Sequence, residues 1–249
     1  MTESRTPAAY ANAHTPEAYA KTHIRIARAF EGPRHDRLAK IWDCIAEYAQ
    51  DDVRLIVEPN LNPRLSHAEI FERMYAKDVK EPNRYLLLTE YDWLPDLGGD
   101  WLPTHVFDQE EIAVLATQYY TRNPTSMHLS KHPGLPGGWF LLIDKTCAPH
   151  IRTFHGTPDP GNQLAHEANT LVLPGEDCYP LHYGVEYPTG THLFWSRHYH
   201  DGDDNDVVAG VRLGEMRALH DQAVTLWLRL QPAEFLRLVL SRHPEILDA

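Results

Sequence analysis

The chain has 249 residues, 43% of them hydrophobic, which is enough to bury the core of one large domain or two small ones. A net charge of −12 argues against a protein that binds nucleic acid by neutralising its phosphates. No segment approaches the roughly 20 apolar residues of a membrane span, and three scattered cysteines do not form a disulfide scaffold. Because residues 1–20 are polar and lack the apolar core of a signal peptide, we expect a cytoplasmic protein.

The first hundred residues predict strands that alternate with helices. Residues 23–30 alternate apolar with polar or small side chains, 53–57 are mostly apolar, and 85–88 are a short apolar run, all typical of strands. Between them, residues 33–50 carry apolar side chains at helical spacing, and the Ser-His-Ala-Glu sequence at 66–69 is a capping box that begins a second helix. A β-α-β-α-β series predicts a parallel sheet with right-handed crossovers. It contains neither the Gly-x-Gly-x-x-Gly nor the P-loop pattern of common nucleotide sites.

The remainder of the chain is less regular. Its predicted elements are, in order, a helix at 108–121, a loop rich in proline, glycine and histidine at 123–138, a buried strand at 139–143, a short helix at 163–169, a strand at 191–200, and two closing helices at 211–230 and 232–242. The sequence shows no internal repeat and no clear linker. We therefore expect a single domain.

The strongest candidate site follows the third predicted strand. Glu90 and Asp92 come directly after the apolar run 85–88, and their spacing places both side chains on the same side of an extended backbone. Ligands of open α/β sheets bind just beyond the carboxyl ends of strands. Two oxygen donors at that place suit a hard divalent cation with a phosphate ligand. The simpler alternative is that Glu90 and Asp92 are ordinary polar residues of the loop that follows the strand, since acidic residues are common in loops.

These residues resemble the nucleotide-binding half of GT-A-fold glycosyltransferases, which usually carry Asp-x-Asp where this chain has Glu90-Tyr91-Asp92. Residues 136–144 and 159–162 are also similar to segments of that family, and the resemblance runs from about Ile24 to His200. It implies an α/β, GT-A-like (Rossmann-related) fold with a mostly parallel central sheet flanked by helices and an irregular acceptor-side second half. The implied single domain, 1–249, comprises an N-terminal tail at 1–20, a nucleotide-binding half at 21–105, an acceptor half at 106–210 and C-terminal helices at 211–249.

The resemblance implies a hexosyltransferase-like enzyme that moves a sugar from a nucleotide-sugar donor to a hydroxyl of a small-molecule or glycan acceptor. Mn²⁺ or Mg²⁺ would be held by Glu90 and Asp92. Many such enzymes add one late histidine as a ligand, and His192 and His198, which share one face of a predicted strand, are the candidates.

The expected base is a carboxylate that takes the acceptor's proton as its hydroxyl attacks the sugar, with inversion of the anomeric centre. Asp159 is the first candidate and Glu167 the alternative. The Pro-Asp-Pro-Gly sequence around Asp159 is also typical of a turn, in which the aspartate binds its own backbone.

Donor recognition also needs positive charge and a surface for the base. Arginines lie at or just after the first strand, namely Arg28, Arg34 and Arg37, and guanidinium groups match phosphate oxygens. Asn60, after the second strand, is a candidate for contact with the base or ribose. Trp139 or Trp195 is a candidate to stack on the sugar or base. The arginines and tryptophans also have simpler explanations, since arginines at helix starts are usually solvated and tryptophans usually lie in the core.

Two other classes of protein remain open. The runner-up is a non-haem iron or other metal-dependent oxygenase or hydrolase that uses the histidine-rich second half, for example His198, His200 and Asp201. The β-α-β-α-β opening argues against it, because such sites usually occur in all-β barrels. The third class is a non-catalytic binding protein in which Glu90 and Asp92 are ordinary surface acids.

Overall fold

The computed structural model describes residues 22–49, 53–61, 65–109, 111–122, 129–146, 151, 168–177, 184–193, 202–208 and 211–247. In chain order the strands are β1 (Thr22–Arg28), β2 (Val53–Pro59), β3 (Tyr85–Thr89), β4 (Trp93–Pro95), β5 (Val114–Arg122), β6 (Leu129–Asp144), β7 (Thr170–Leu173), β8 (Glu176–Asp177), β9 (Gly184–Tyr187), β10 (Gly190–Leu193), β11 (Val207–Val208) and β12 (Val211–Arg212). The helices are α1 (Pro33–Tyr48), α2 (His67–Asp78), α3 (Val106–Gln109), α4 (Leu213–Leu230) and α5 (Ala233–Arg242), followed by a 3-10 turn, Pro244–Leu247.

A six-stranded sheet in the order β2-β1-β3-β6-β5-β7 forms the centre of the described part of the chain. Strand β1 pairs in parallel with β2 and with β3, and β5 pairs in parallel with β7. Strand β6 runs antiparallel to both of its neighbours, β3 and β5. A second sheet has the order β4-β10-β9-β8, and β11 pairs with β12. The predicted α/β architecture with a mostly parallel central sheet flanked by helices is confirmed.

Helices cover both faces of the sheet at β3. Leu87 belongs to the apolar cluster that includes Trp42 of α1, whereas Leu86 and Leu88 belong to the cluster that includes Phe71 of α2. All three leucines are fully buried. An inner parallel strand is buried on both faces, which explains why its sequence is a continuous apolar run. The prediction of a buried strand here is confirmed.

Helix α2 begins as the sequence predicts. The Ser66 hydroxyl accepts a hydrogen bond from the Glu69 backbone N–H at 3.3 Å, and Glu69 Oε2 accepts one from the Ser66 N–H at 2.8 Å. Both halves of the capping box are therefore present. Because α2 follows β2, which is parallel to β1 and β3, its first turn lies at the carboxyl edge of these strands.

A cluster of buried charges surrounds the last residue of α2. Asp78 is 0% exposed, and its carboxylate lies 2.8 Å from His23 Nδ1, 2.7 Å from Arg25 Nε, 2.9 Å from Asn83 Nδ2 and 3.1 Å from Lys145 Nζ. Burial alone would raise the pKa of Asp78. The hydrogen bonds from His23, Asn83 and Arg25 and the charge of Lys145 outweigh burial and hold that pKa well below its usual range.

Two of the predictions for the second half are wrong. The segment 108–121 is not a helix: α3 ends at Gln109, and most of the rest forms β5. Five apolar residues in a row, 112–116, fit a buried strand as well as a helix, and pairing with β6 and β7 decides between them. The loop predicted at 123–138 is also wrong over 129–138, which belongs to β6. The ladder with β5 shifts register near Pro136, so the prolines and glycines there mark irregular pairing and not the end of the strand.

The remaining predicted elements agree with the structure except at two ends: residues 168–169 are not helical, and residues 211–212 form β12. Strand 139–143 lies within β6, residues 191–193 lie in β10, and the two closing helices are α4 and α5. The rest of the strand predicted at 191–200, residues 123–128, and most of the helix predicted at 163–169 lie outside the described residues. In the part of the chain that is described, none of the helices is both long enough and apolar enough to cross a bilayer.

Candidate metal centre

Glu90 and Asp92 lie in the short connection between β3 and β4, at the carboxyl edge of the sheet. The residue between them is anchored in the core: Tyr91 is 6% exposed, its ring meets His35 edge-on, and its carbonyl accepts a hydrogen bond from Trp42 Nε1 at 3.1 Å. The Trp93 N–H donates to the Glu90 carbonyl at 3.3 Å, so residues 90–93 form a turn and not the extended backbone that the sequence analysis assumed. This turn, with Tyr91 anchored in the core, places the two acids close together.

His192 reaches the same place from the second sheet. Strand β10 pairs antiparallel with β4 so that His192 lies opposite Trp93, and the Leu193 N–H donates to the Asp92 carbonyl at 2.8 Å. His192 Nε2 lies 3.7 Å from Glu90 Oε2 and 3.7 Å from Asp92 Oδ1. One donor atom of each residue lies within 4.8 Å of the others, and among the described residues this is the only such group of three or more histidines, cysteines or acids.

The three groups shift one another's ionisation. Burial raises the pKa of Asp92, and the nearby Glu90 charge acts in the same direction against the opposing effect of His192. Burial would also raise the pKa of Glu90, but the charge of His67, the hydrogen bond and charge of His192 and a hydrogen bond with Asp92 outweigh it and lower that pKa to about 2. Burial would lower the pKa of His192, yet the two carboxylates raise it. Two adjacent carboxylates thus favour a positive charge between them.

Aromatic rings hold the imidazole of His192. The Trp139 indole stacks on it almost in parallel, with ring centroids 4.4 Å apart and planes 4° apart. Tyr119 also stacks on Trp139, at 5.5 Å and 27°. Trp139 is 5% exposed, so its ring leaves little surface for a base or sugar. Its contact with His192 is the interaction that the structure shows, and its role in donor binding stays a prediction.

Gly137 leaves room for this stack, and Gly137→Ala is expected to disturb it. A Cβ atom at position 137 would lie 2.5 Å from the Trp139 ring, which cannot retreat because it packs against Tyr119 and His192. We expect the free energy of unfolding to fall by about 1–3 kcal/mol, the usual cost of overpacking, in urea denaturation. Gly98→Ala is the control, since a Cβ there meets Asp96 Oδ1 at an ordinary 3.4 Å. Equal stability of the two variants would contradict the expectation.

The other donor-binding candidates have partners within the protein. Arg28, at the end of β1, has a 40% exposed side chain and lies 3.3 Å from Asp36 Oδ1. Arg34 Nη2 lies 3.0 Å from the carboxylate of Asp221 on α4. The Asn60 side chain donates to the Leu65 carbonyl at 3.2 Å and accepts from the Leu65 N–H at 2.8 Å. Of these three, Arg28 is the most exposed.

An open cavity of about 600 Å³ lies between the start of α1 and α4. It is lined by Arg34, Asp204, Asp221, Gln222, Thr225 and Arg229, among others. None of the residues of the candidate metal centre lines it, so the cavity and the metal centre are separate features.

Several predicted site residues lie outside the described residues: Asp159, Glu167, Trp195, His198, His200 and Asp201. The structure also shows histidines near the acids that the sequence analysis missed. His67 Nε2 lies 3.1 Å from Glu90 Oε1, and the charge of His220 on α4 acts on Asp92. A signal for His67 was present, because it is the first residue of a helix that begins at the carboxyl edge of the sheet. Nothing in the sequence indicated His220.

No protein-family model matches the chain, and no curated protein matches it. Among solved structures, A197 from STIV is 14% identical with a TM-score of 0.40, over 70% of this chain and 93% of that chain. The catalytic domain of Drosophila β1,4-galactosyltransferase 7 with xylobiose is 11% identical with a TM-score of 0.47, over 79% of each chain. A mutant of that enzyme with manganese, UDP-Gal and xylobiose is 11% identical with a TM-score of 0.45, over 76% of each chain. All three TM-scores lie below 0.5, too low for these proteins to assign an activity to this chain.

Proposed function

We propose that this protein is a glycosyltransferase that moves a sugar from a nucleotide-diphosphate sugar to an acceptor hydroxyl and depends on a divalent cation. The observation that carries the proposal is the group formed by Glu90, Asp92 and His192 at the carboxyl edge of the parallel strands. Open α/β sheets bind their ligands at this edge.

The donor set fits Mn²⁺ or Mg²⁺. Two carboxylates and one imidazole suit Mn²⁺, and the carboxylates alone suit Mg²⁺. The Asp92 side chain is 8% exposed and the Glu90 side chain 36% exposed, so the group is open to a ligand on the Glu90 side. When bound, such a cation supplies positive charge that stabilises a departing diphosphate.

Residues of the chain supply the other requirements. Arg28 lies at the same edge, because β1 pairs with β3 so that Ile26 is opposite Thr89, directly before Glu90. Its guanidinium is our candidate for a further phosphate contact. Asp159 is our candidate for the base that takes the acceptor's proton, with Glu167 as the alternative, and direct attack would invert the anomeric centre. These two roles are what the resemblance to GT-A-fold glycosyltransferases implies.

A thermal-shift experiment tests the proposal. Nucleoside diphosphates are expected to raise the melting temperature in the presence of Mn²⁺ and not in EDTA, because the cation links the diphosphate to the acids. Free ligand at a hundredfold its Kd adds about 2.7 kcal/mol, and each kcal/mol raises Tm by roughly 2–4 °C in a chain of this size. Nucleoside monophosphates serve as controls.

Two outcomes would count against the proposal. Absence of any diphosphate effect with Mn²⁺, Mg²⁺ or EDTA would contradict it and favour a non-catalytic binding protein. Stabilisation by Fe²⁺ with 2-oxoglutarate, without an effect of nucleoside diphosphates, would favour the oxygenase alternative.

A further inference from the structure

The two oxygens of the Glu90 carboxylate face two different imidazoles. Oε2 lies 3.7 Å from Nε2 of His192, which belongs to the candidate metal centre. Oε1 lies 3.1 Å from Nε2 of His67, which belongs to a different element, the first turn of α2. One oxygen of Glu90 is therefore directed toward the cation site, and the other toward a residue outside it.

The place of His67 in the fold is fixed independently of Glu90. It directly follows Ser66, whose capping box with Glu69 holds the start of the helix. Its ring meets the ring of Phe71 edge-on, one helical turn later, with centroids 4.3 Å apart. Phe71 is 0% exposed and belongs to the core beneath α2. His67 thus lies between the capped start of α2 and Glu90, the half-buried acid of the site.

The Nε2 atom of His67 is itself buried and makes no hydrogen bond within the described part of the chain. It lies 3.1 Å from Glu90 Oε1, although no hydrogen bond joins the two groups. Because the Glu90 side chain is 36% exposed, its carboxylate has room to turn until Oε1 accepts from Nε2–H. That rotation leaves Oε2 for the cation.

We propose that His67 is a positioning residue that orients Glu90 for cation binding through one carboxylate oxygen. The inference rests on the cation site of the proposed function. Residues that hydrogen-bond a metal-ligating carboxylate fix its direction, and their loss typically lowers metal affinity by about 10–100-fold. Without this hydrogen bond the carboxylate is able to rotate away from the cation site, and the rotation requires no change in the fold.

The test is a titration of the full chain with Mn²⁺ alone by isothermal calorimetry. Two variants are compared with the unaltered protein, one that keeps an aromatic ring at position 67 and one that keeps an N–H donor there. His67→Phe keeps a ring against Phe71 and removes the donor, and we expect its Mn²⁺ affinity to fall by about 10–100-fold. His67→Gln keeps an N–H donor of similar reach, and we expect its Mn²⁺ affinity to stay within about threefold of the unaltered protein, because the amide is still able to donate to Oε1 when the cation binds. The melting temperature of the metal-free protein is expected to be the same in both variants.

His105→Phe is the matched control. His105 Nδ1 lies 3.2 Å from Asp100 Oδ2 in another histidine–carboxylate pair, whose side chains are 59% and 58% exposed. The Mn²⁺ affinity of the His105→Phe variant should equal that of the unaltered protein. Unchanged affinity in His67→Phe, or equal losses in His67→Phe and His67→Gln, would overturn the role of His67 as a donor, provided that Asp92→Asn still abolishes binding. Failure of the unaltered protein to bind Mn²⁺, or binding that Asp92→Asn leaves intact, would overturn the cation site and this inference together.

Discussion

Asp92→Asn is expected to abolish Mn²⁺ binding and, with it, the Mn²⁺-dependent stabilisation by nucleoside diphosphates. Asp92 is the buried acid of the group, and its Oδ1 is 3.7 Å from His192 Nε2. The amide that replaces it keeps the size of the side chain but loses the charge that the cation needs. Because changes to the residues that support a ligand already cost about 10–100-fold in affinity, loss of a ligand itself should cost more. Calorimetric titration with Mn²⁺ measures the loss.

The same substitution is expected to leave the fold intact. Burial raises the pKa of Asp92, so the structure already disfavours its charge, and a neutral amide removes that cost. The free energy of unfolding of the metal-free variant should therefore equal or exceed that of the unaltered protein in urea. Asp100→Asn, at an acid with a 58% exposed side chain, is the control and should bind Mn²⁺ normally. An Asp92→Asn variant that binds Mn²⁺ as tightly as the control would contradict the assignment of Asp92 as a ligand.

Asp78→Ala is expected to be the most destabilising substitution among those considered. It leaves Arg25 and Lys145 buried without their shared carboxylate, and removal of one partner of a buried charge pair typically costs about 3–5 kcal/mol. Urea denaturation of the full chain measures the change. Asp108→Ala provides the comparison, because Asp108 is 60% exposed and pairs at the surface with Arg84. Its expected cost is below about 1 kcal/mol, and similar losses in both variants would contradict the buried-network account.

Acidification should reveal the same network. The folded-state pKa of Asp78 is depressed, so its contribution to stability is fully present above the unfolded-state pKa of about 3.9. That contribution is lost as the pH falls below about 4 and through the lower folded-state pKa. The free energy of unfolding of the unaltered protein should therefore decline over this range more steeply than that of Asp78→Ala. Equal slopes in the two proteins would show that Asp78 carries no such linkage.

The sequence predicted the features that depend on local chemistry. The capping box at Ser66 needs only four consecutive residues. The buried strand before Glu90 is a short apolar run bounded by Pro82-Asn83 and Pro95, which favours a strand over a helix. Because Glu90 and Asp92 directly follow that strand, the sequence also predicted that they lie at the carboxyl edge of the sheet. The grouping of His192 with them is different, because it depends on the pairing of β10 with β4 across about a hundred residues. The sequence supplied only the candidate histidine.

The wrong and missed predictions also concern features that depend on contacts between distant parts of the chain. Residues 112–116 are apolar without interruption, so their pattern did not distinguish a helix from a strand, and pairing with β6 decided the outcome. Prolines and glycines at 129–138 suggested a loop, although they belong to an irregular ladder. The sequence did not reveal the network around Asp78, because its members come from three separate parts of the chain, 23–25, 78–83 and 145. Each of them alone is typical of a polar surface residue. Long-range pairing was the information that the sequence lacked.

The most direct test of the cation site is an anomalous diffraction measurement at the manganese absorption edge on crystals grown with Mn²⁺. We predict one strong anomalous peak at the carboxyl edge of β3, with an oxygen of Glu90, an oxygen of Asp92 and Nε2 of His192 at bonding distances of about 2.0–2.6 Å. A crystal saturated with Mn²⁺ that shows no peak at these three side chains, or whose only peak lies elsewhere on the molecule, would contradict the proposal.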